Sequence, residues 1–155
     1  MADQTDRPGV IFPPPLLMLL ALVAALTLHH FLPLPIATRA LAVALGAAFS
    51  VFGIGIAAWG RITLVKGGTN VNPYKPTTSI ISGGPFAFTR NPLYVGLQSL
   101  FIGLSLLVGT WWGLVLFAPA FLVLHYGVVL REEAYLERKF GQVYLSYKSK
   151  TRRWL

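Results

Sequence analysis

The chain has 155 residues, of which 55% are hydrophobic and only 12% are charged, whereas a soluble globular domain is about 25% charged. This composition excludes an ordinary soluble domain and predicts a single integral membrane domain over residues 1–155, too short to hold a second domain of any size. The absence of cysteine excludes disulfides and cysteine-ligated metals, and the net charge of +8 favours anionic lipid head groups over nucleic acid, because no soluble fold presents a basic stripe.

Two hydrophobic segments near the N-terminus are predicted to form a first helical hairpin. A helix that spans a bilayer needs about 20 mostly apolar residues, and such segments cover about residues 15–32 and 36–60. A short link at residues 33–35 joins them. In the second segment, small residues at spacing four predict close packing against another helix; they are Ala42, Gly46 and Ser50.

A longer polar segment, residues 61–92, is predicted to form a cytoplasmic cap over the helix bundle. Its Gly, Pro, Thr and Asn content is typical of a solvated linker, but several apolar side chains favour a folded cap: Val71, Tyr74, Ile80, Ile81, Phe86 and Phe88. Within the cap, Gly83 and Gly84 offer backbone amides free of side-chain obstruction, and such amides can hold an anionic group.

The longest uncharged stretch runs from residue 91 to residue 130 and ends at the triplet Arg131-Glu132-Glu133. A Gly-Thr turn at residues 109–110 divides it into predicted spans over about 93–108 and 111–130. Because these two spans form a second hairpin, the polar residues at the two edges of the stretch are expected on the same side of the bilayer.

The tail, residues 131–155, is predicted to begin with an amphipathic helix that lies at the membrane surface to about residue 147. Leu136, Phe140 and Tyr144 recur in it at spacing four, with Lys and Arg between them. The expected fold is therefore all-α, a polytopic membrane helix bundle. It comprises four transmembrane helices in two hairpins plus a C-terminal interfacial amphipathic helix.

The distribution of Lys and Arg predicts that both termini are cytoplasmic. Cytoplasmic segments of membrane proteins carry an excess of these residues. In this chain the N-terminus, the cap and the tail together hold all of them except Arg39. Arg39 is expected on the opposite side of the bilayer.

The three histidines belong to opposite leaflets in this topology, so a metal or haem site that uses all of them is not expected. His29 and His30 end the first span, whereas His125 lies in the fourth. His125 precedes Glu132 and Glu133 by seven and eight residues, which places the three near one helical face. A polar residue inside a span is a functional candidate, and a histidine bonded to a neighbouring helix is the alternative.

Two blocks of residues stand out by their order and spacing. The first block comprises Gly68-Thr69, Asn72-Pro73, Pro76, Gly84-Pro85-Phe86, Arg90-Asn91-Pro92, Tyr94 and Gly96. The second comprises His125, Glu132-Glu133, Leu136, Phe140-Gly141, Tyr144, Tyr147 and Arg153-Trp154. From about residue 68 to the C-terminus the chain resembles the isoprenylcysteine carboxyl methyltransferase-like membrane proteins and, more loosely, the phospholipid methyltransferases. Many of these relatives have His where this chain has Asn91.

The resemblance implies an S-adenosyl-L-methionine-dependent methyltransferase embedded in the lipid bilayer. It implies a donor pocket on the cytoplasmic side and a lipidic or prenylated acceptor that enters laterally and is methylated on a carboxyl oxygen. The donor-binding residues implied are Gly83, Gly84, Pro85, Phe86, Arg90, Asn91, Pro92, Tyr94, His125, Glu132 and Glu133. The catalytic residues implied are Glu132, Arg153 and His125, and no metal is expected.

The chemistry of the two adjacent glutamates agrees with a methyl-donor site. Either carboxylate can accept hydrogen bonds from the ammonium or ribose of the donor. Because neighbouring positions on a helix lie about 100° apart, one of the two would instead pair with Arg90, Arg131 or Arg153.

Other groups at the same edge of the bundle suit the rest of the donor. Arg90 and the amides of Gly83 and Gly84 could hold its carboxylate, and Tyr94 and Phe86 could cover adenine or face the sulfonium. Transfer to a carboxylate oxygen needs no general base. Transfer to an amine would need a proton acceptor, and His125 or a glutamate is then the candidate.

Phospholipid N-methylation is the main alternative, and three other classes fit less well. NADPH-dependent sterol reductases look similar around the third span but tend to carry an acidic residue just after Tyr-x-Gly, where this chain has Leu97-Gln98. A proton-coupled transporter needs a carboxylate within the bilayer, and the four predicted spans contain none. An inactive scaffold is disfavoured because both blocks are intact. Prenylated, phospholipid and other hydrophobic acceptors stay open.

Overall fold

The computed structural model describes residues 6–155, and this part of the chain is helical without β-strands. Its helices are α1 (Pro14–Phe31), α2 (Arg39–Lys66), α3 (Pro92–Val108), α4 (Trp111–Leu124), α5 (Leu130–Phe140) and α6 (Gln142–Lys150). A 3-10 turn, Gly84–Ala87, precedes α3, and a π-helical turn, His125–Val129, joins α4 to α5.

Three helical stretches in the described part are long and apolar enough to cross a membrane: Pro14–Phe31, Arg39–Lys66 and Trp111–Phe140. Many of the large hydrophobic side chains of α1 and α2 are exposed, as expected where the surrounding solvent is lipid. α3 is also apolar but has only 17 residues, near the lower limit for a span. The chain is therefore an all-helical membrane protein, and a fourth span at α3 stays a prediction.

α2 and α3 form the tightest helix pair, with their axes antiparallel. The glycines of α2 that face α3 follow one another at spacing seven: Gly46, Gly53 and Gly60. A Cβ atom built on Gly53 would lie only 2.6 Å from the carbonyl oxygen of Gly96. Small residues thus let the two backbones come into contact, and the start of α3 lies beside the end of α2.

Replacing Gly53 by alanine should destabilise the protein by about 1–3 kcal/mol, because the new methyl group would overlap the backbone of α3. Gly55, on the same helix, is the matched control, since a Cβ there meets nothing within 4 Å. Alanine at Gly55 should be neutral or stabilising because alanine favours helix more than glycine does. Thermal unfolding of both variants in one detergent measures the difference, and equal midpoints would contradict the packing.

The C-terminal part differs from its prediction in two ways. The helix that begins at Trp111 passes through the π turn and continues beyond residue 130 into α5, so that one helical stretch covers Trp111–Phe140. The single amphipathic helix predicted to about residue 147 is instead two helices, α5 and α6. They are separated at Gly141, which has φ +51° and ψ −124°, a conformation that glycine adopts without a Cβ penalty.

The break at Gly141 turns the tail back onto the cap. The hydroxyl of Tyr147 donates a 2.8 Å hydrogen bond to the carbonyl of Phe86. The backbone N–H of Arg90 donates to the carbonyl of Arg152 at 2.9 Å. The cap, the start of α3 and the tail therefore form one unit at the same end of the bundle.

The segment before α1 packs across the π turn. In a π turn the regular backbone hydrogen bonds from residue i to residue i−4 are interrupted. Here the carbonyl of Gly127 accepts a 3.1 Å hydrogen bond from the N–H of Ile11. Arg131 donates from Nη1 to the carbonyl of Gly9 at 3.1 Å. Val10 joins the buried core with Leu124. These contacts bring Pro8 to the edge of the cavity beneath the cap.

Candidate functional site

A cavity lies between the cap, the first turn of α3, and helices α5 and α6. Its interior measures about 140 Å³, and the space that it encloses together with its open mouth measures about 760 Å³. Most of its wall is apolar, and its larger polar side chains are those of Asn91, Tyr94, Glu132, Tyr135, Tyr144 and Tyr147. Among residues 6–155, Glu132 is the only Asp, Glu, Lys or Arg that lines it.

Tyr94 and Glu132 meet at the wall of this cavity. Tyr94 lies in the first turn of α3 and Glu132 in the first turn of α5. The Tyr94 hydroxyl donates a 2.7 Å hydrogen bond to Glu132 Oε1. Within residues 6–155, Glu132 Oε2 has no hydrogen-bond partner, so it can accept one from a ligand.

Glu133 forms a buried ion cluster with two arginines. Its Oε1 lies 3.0 Å from Arg90 Nη2, and Arg153 approaches both carboxylate oxygens through Nε and Nη2 at 2.8 Å each. The side chains of Glu133 and Arg90 are only 6% and 8% exposed. Because adjacent helical positions point about 100° apart, Glu132 reaches the cavity while Glu133 reaches the cap and the tail.

Hydrogen bonds from two side chains to a backbone carbonyl reinforce the junction around this ion cluster. The Thr89 hydroxyl and the Asn91 Nδ2 each donate a 3.0 Å hydrogen bond to the carbonyl of Arg153. Thr89 is fully buried. Asn91 thus uses its amide nitrogen to hold the tail while its side chain also borders the cavity.

The structure brings together some of the residues expected at the donor site and leaves others apart. Those that line the cavity are Phe86, Asn91, Pro92, Tyr94 and Glu132. Those that do not are Gly83, Gly84, Pro85, Arg90, His125, Glu133 and Arg153. Gly83 and Gly84 are exposed, and Pro85 is buried in the 3-10 turn. Arg90, Glu133 and Arg153 belong to the ion cluster.

His125 lies in the π turn, away from the cavity wall. Its ring stacks on Phe121 with centroids 5.8 Å apart and lies 6.0 Å from the ring of Trp154. Its Nδ1 is buried without a hydrogen-bond partner in the described part of the chain. The π turn widens one helical turn, which rotates His125 away from the face that Glu132 presents to the cavity.

Three tyrosines of the cavity wall were not predicted as site residues: Tyr135, Tyr144 and Tyr147. The Tyr135 hydroxyl accepts a 3.2 Å hydrogen bond from the N–H of Thr77 and donates to Asp6 Oδ1 at 2.8 Å. Tyr144 and Tyr147 stand three residues apart on α6, which places them on one face. That spacing was the available signal.

Burial raises the pKa of Tyr144 and of Tyr147 well above the usual value. Both hydroxyls are therefore protonated at neutral pH. Tyr144 can donate and accept hydrogen bonds at the cavity wall, whereas Tyr147 already donates to the carbonyl of Phe86 and can only accept. Neither is a base.

A family model described as "Phospholipid methyltransferase" matches residues 41–143. The chain belongs to the phospholipid methyltransferase family. The matched region begins in α2 and ends at the start of α6, so it includes the Tyr94–Glu132 pair and most of the cavity wall. The predicted resemblance is thereby confirmed.

This family member is also similar to a shorter protein of Haemophilus influenzae described as "Uncharacterized protein". The two are 39% identical over 66 residues, which is 41% of this chain and 100% of the relative. No solved structure matches the chain. Membership places the protein among membrane methyltransferases that act on lipid-related substrates, in agreement with its long apolar helices.

Proposed function

We propose that the protein transfers a methyl group from S-adenosyl-L-methionine to a lipidic or lipidated acceptor at the cytoplasmic face of the membrane, by carboxyl O-methylation. The observation that carries the proposal is the Tyr94–Glu132 pair at the wall of the cavity beneath the cap. Family membership supports the reaction class. The excess of Lys and Arg in the cap and the tail supports cytoplasmic termini.

The residues of the cavity fit the methyl donor, which when bound supplies an electrophilic methyl group next to a sulfonium. Glu132 Oε2 can accept from an ammonium or from ribose hydroxyls. Aromatic rings such as Phe86 and Tyr94 can cover a flat base or face a cation. Asn91 and the tyrosine hydroxyls can hydrogen-bond the remaining polar groups.

The properties of this wall favour a carboxylate acceptor. Tyr144 and Tyr147 are held protonated, and His125 lies outside the cavity. An acceptor that is already an anion needs no base, so the residues act by holding the reactants together and keeping water out. The cap, the tail and Pro8 enclose the cavity and serve that purpose.

Phospholipid N-methylation is the second candidate, favoured by the description of the matching family model. An amine acceptor must lose a proton during transfer. Among the residues that line the cavity, Glu132 is the carboxylate that could receive it.

We expect the purified protein to bind S-adenosylhomocysteine with micromolar affinity and not to bind NADPH, as measured by parallel calorimetric titrations. The expectation follows from the match between the polar and aromatic side chains of the cavity and the groups of the donor, and from the chemistry of the family. Binding of NADPH alone would instead indicate that the protein is a reductase. Absence of both signals, in detergent and in lipid nanodiscs alike, would contradict the proposal.

A further inference from the structure

A second cavity, here called the groove, adjoins the one beneath the cap. It lies between the start of α1, the second half of α2 and the first half of α3, and it encloses about 1050 Å³ with its open mouth. The two cavities share Val71, Pro73, Leu93 and Tyr94 in their walls. Apart from Arg61 and Tyr94, every residue that lines the groove is apolar or glycine.

The register between α2 and α3 gives the groove a direction. A Cβ on Gly60 would lie 2.8 Å from Leu93 Cδ1, and one on Gly53 would lie 2.7 Å from the N of Leu100. Arg61, next to Gly60, is therefore level with the first turn of α3, where Tyr94 borders the cavity beneath the cap. The apolar end, at Gly53 and Leu100, lies about 12 Å further along the helices.

Arg61 is exposed and has no salt bridge within residues 6–155. The side-chain carboxylates of this part of the chain are engaged elsewhere: Asp6 with Lys139, Glu133 with Arg90 and Arg153, Glu137 with Lys148, and Glu132 with Tyr94. A guanidinium beside apolar helices is costly unless it meets an anion or water. Its planar set of five donors suits carboxylate and phosphate oxygens.

We propose that Arg61 selects the methyl acceptor, an amphiphile whose anionic oxygen group binds Arg61 and whose apolar chain lies in the groove. The inference rests on the proposed function, because it names the acceptor class of the same site. The anion can be the carboxylate that is methylated or the phosphate of a phospholipid. In both cases the charged end lies beside Tyr94 and the chain extends toward Gly53 and Leu100.

The test uses the full chain in nanodiscs of zwitterionic lipid and three photocrosslinking probes with one alkyl chain: a diazirine fatty acid, the matching alcohol and the matching amine. We expect wild-type protein to crosslink the carboxylate about tenfold more than the other two. Arg61→Gln should lower carboxylate labelling about tenfold and leave alcohol labelling unchanged. Lys66→Gln is the matched control, since Lys66 is exposed on the same helix but does not line the groove.

A second pair of variants tests the groove without changing charge. Ala58 is exposed and lines the groove, whereas Ala48 is exposed on the same helix and does not. Ala58→Phe should block labelling by all three probes, and Ala48→Phe should not. Competition by unlabelled dodecanoate or by a lysophosphatidylglycerol of equal chain length then distinguishes a carboxylate from a phosphate as the preferred anion.

Titration with S-adenosylhomocysteine separates this inference from the proposed function. The Arg61→Gln and Ala58→Phe variants should bind it as wild type does, because neither residue lines the cavity beneath the cap. Equal labelling of the three probes by wild-type protein, or unchanged labelling in Arg61→Gln, would overturn the acceptor inference while the donor site stands. A wild-type protein that selects the anionic probe but does not bind S-adenosylhomocysteine would overturn the proposed function instead.

Discussion

Replacing Glu133 by alanine should lower the free energy of unfolding by about 3–5 kcal/mol, because the substitution leaves two guanidiniums without their shared carboxylate. The cost is largest at Arg90, because its side chain is only 8% exposed and water cannot replace the lost ion pair. Arg153 would lose both of its hydrogen bonds to Glu133, so no ion pair would join it to α5, and only hydrogen bonds such as that from Tyr147 to the carbonyl of Phe86 would hold the tail to the cap. Denaturant or thermal unfolding in detergent measures the loss.

Glu137→Ala is the matched control for this prediction. Glu137 lies on the same helix and also forms an ion pair, with Lys148, but both side chains of that pair are 35% exposed. Surface ion pairs contribute about 0–1 kcal/mol. If Glu133→Ala proves no less stable than Glu137→Ala, the buried ion cluster is not what joins the tail to the cap.

The apolar segments could be located from the sequence because lipid burial demands long uninterrupted apolar runs. The predicted segments at about 15–32 and 93–108 agree with the bounds of α1 and α3 to within one residue at each end. The segment predicted at about 36–60 is α2, which instead covers Arg39–Lys66, so the first residues of the predicted cap are helical. The continuation of α4 into α5 could not be predicted in this way. Past residue 130 the helix carries charged side chains, and hydropathy does not distinguish a longer helix from a new one.

The π turn at His125–Val129 has no signal in the sequence. It depends on packing between distant segments, since the carbonyl of Gly127 accepts a hydrogen bond from the N–H of Ile11, near the other end of the chain. The expected alignment of His125 with the two glutamates assumed a regular helix. A widened turn shifts that alignment, and His125 instead stacks among aromatic rings.

The adjacent glutamates show how far local reasoning reaches at the candidate site. Helical geometry predicts that the two point apart, and the arginines available as partners could be named. Which glutamate faces the cavity depends on the return of the tail after Gly141, which brings Arg153 to Glu133. The position of the α6 tyrosines, Tyr144 and Tyr147, depends on the same turn, so their spacing on one helical face did not by itself place them in the cavity wall.

Replacing Glu132 by glutamine should weaken S-adenosylhomocysteine binding about tenfold to a hundredfold, because a hydrogen bond to a charged group contributes about 1.5–3 kcal/mol. Stability should change little, since the amide keeps the shape of the side chain and its oxygen can still accept from Tyr94. Calorimetric titration and thermal unfolding of the same sample measure the two effects. Unchanged affinity would remove Glu132 from the donor site.

The role of Glu132 can be resolved further with methylthioadenosine, which keeps the adenine and ribose of the donor but lacks its amino-acid end. If Glu132 holds the ammonium, Glu132→Gln weakens S-adenosylhomocysteine binding and leaves methylthioadenosine binding unchanged. If it holds the ribose, both affinities fall together. Tyr94→Phe should follow the same pattern with a smaller loss, because it keeps the carboxylate but removes the hydroxyl that orients it. A Tyr94→Phe protein weakened more than Glu132→Gln would shift the main donor contact from the carboxylate to the tyrosine.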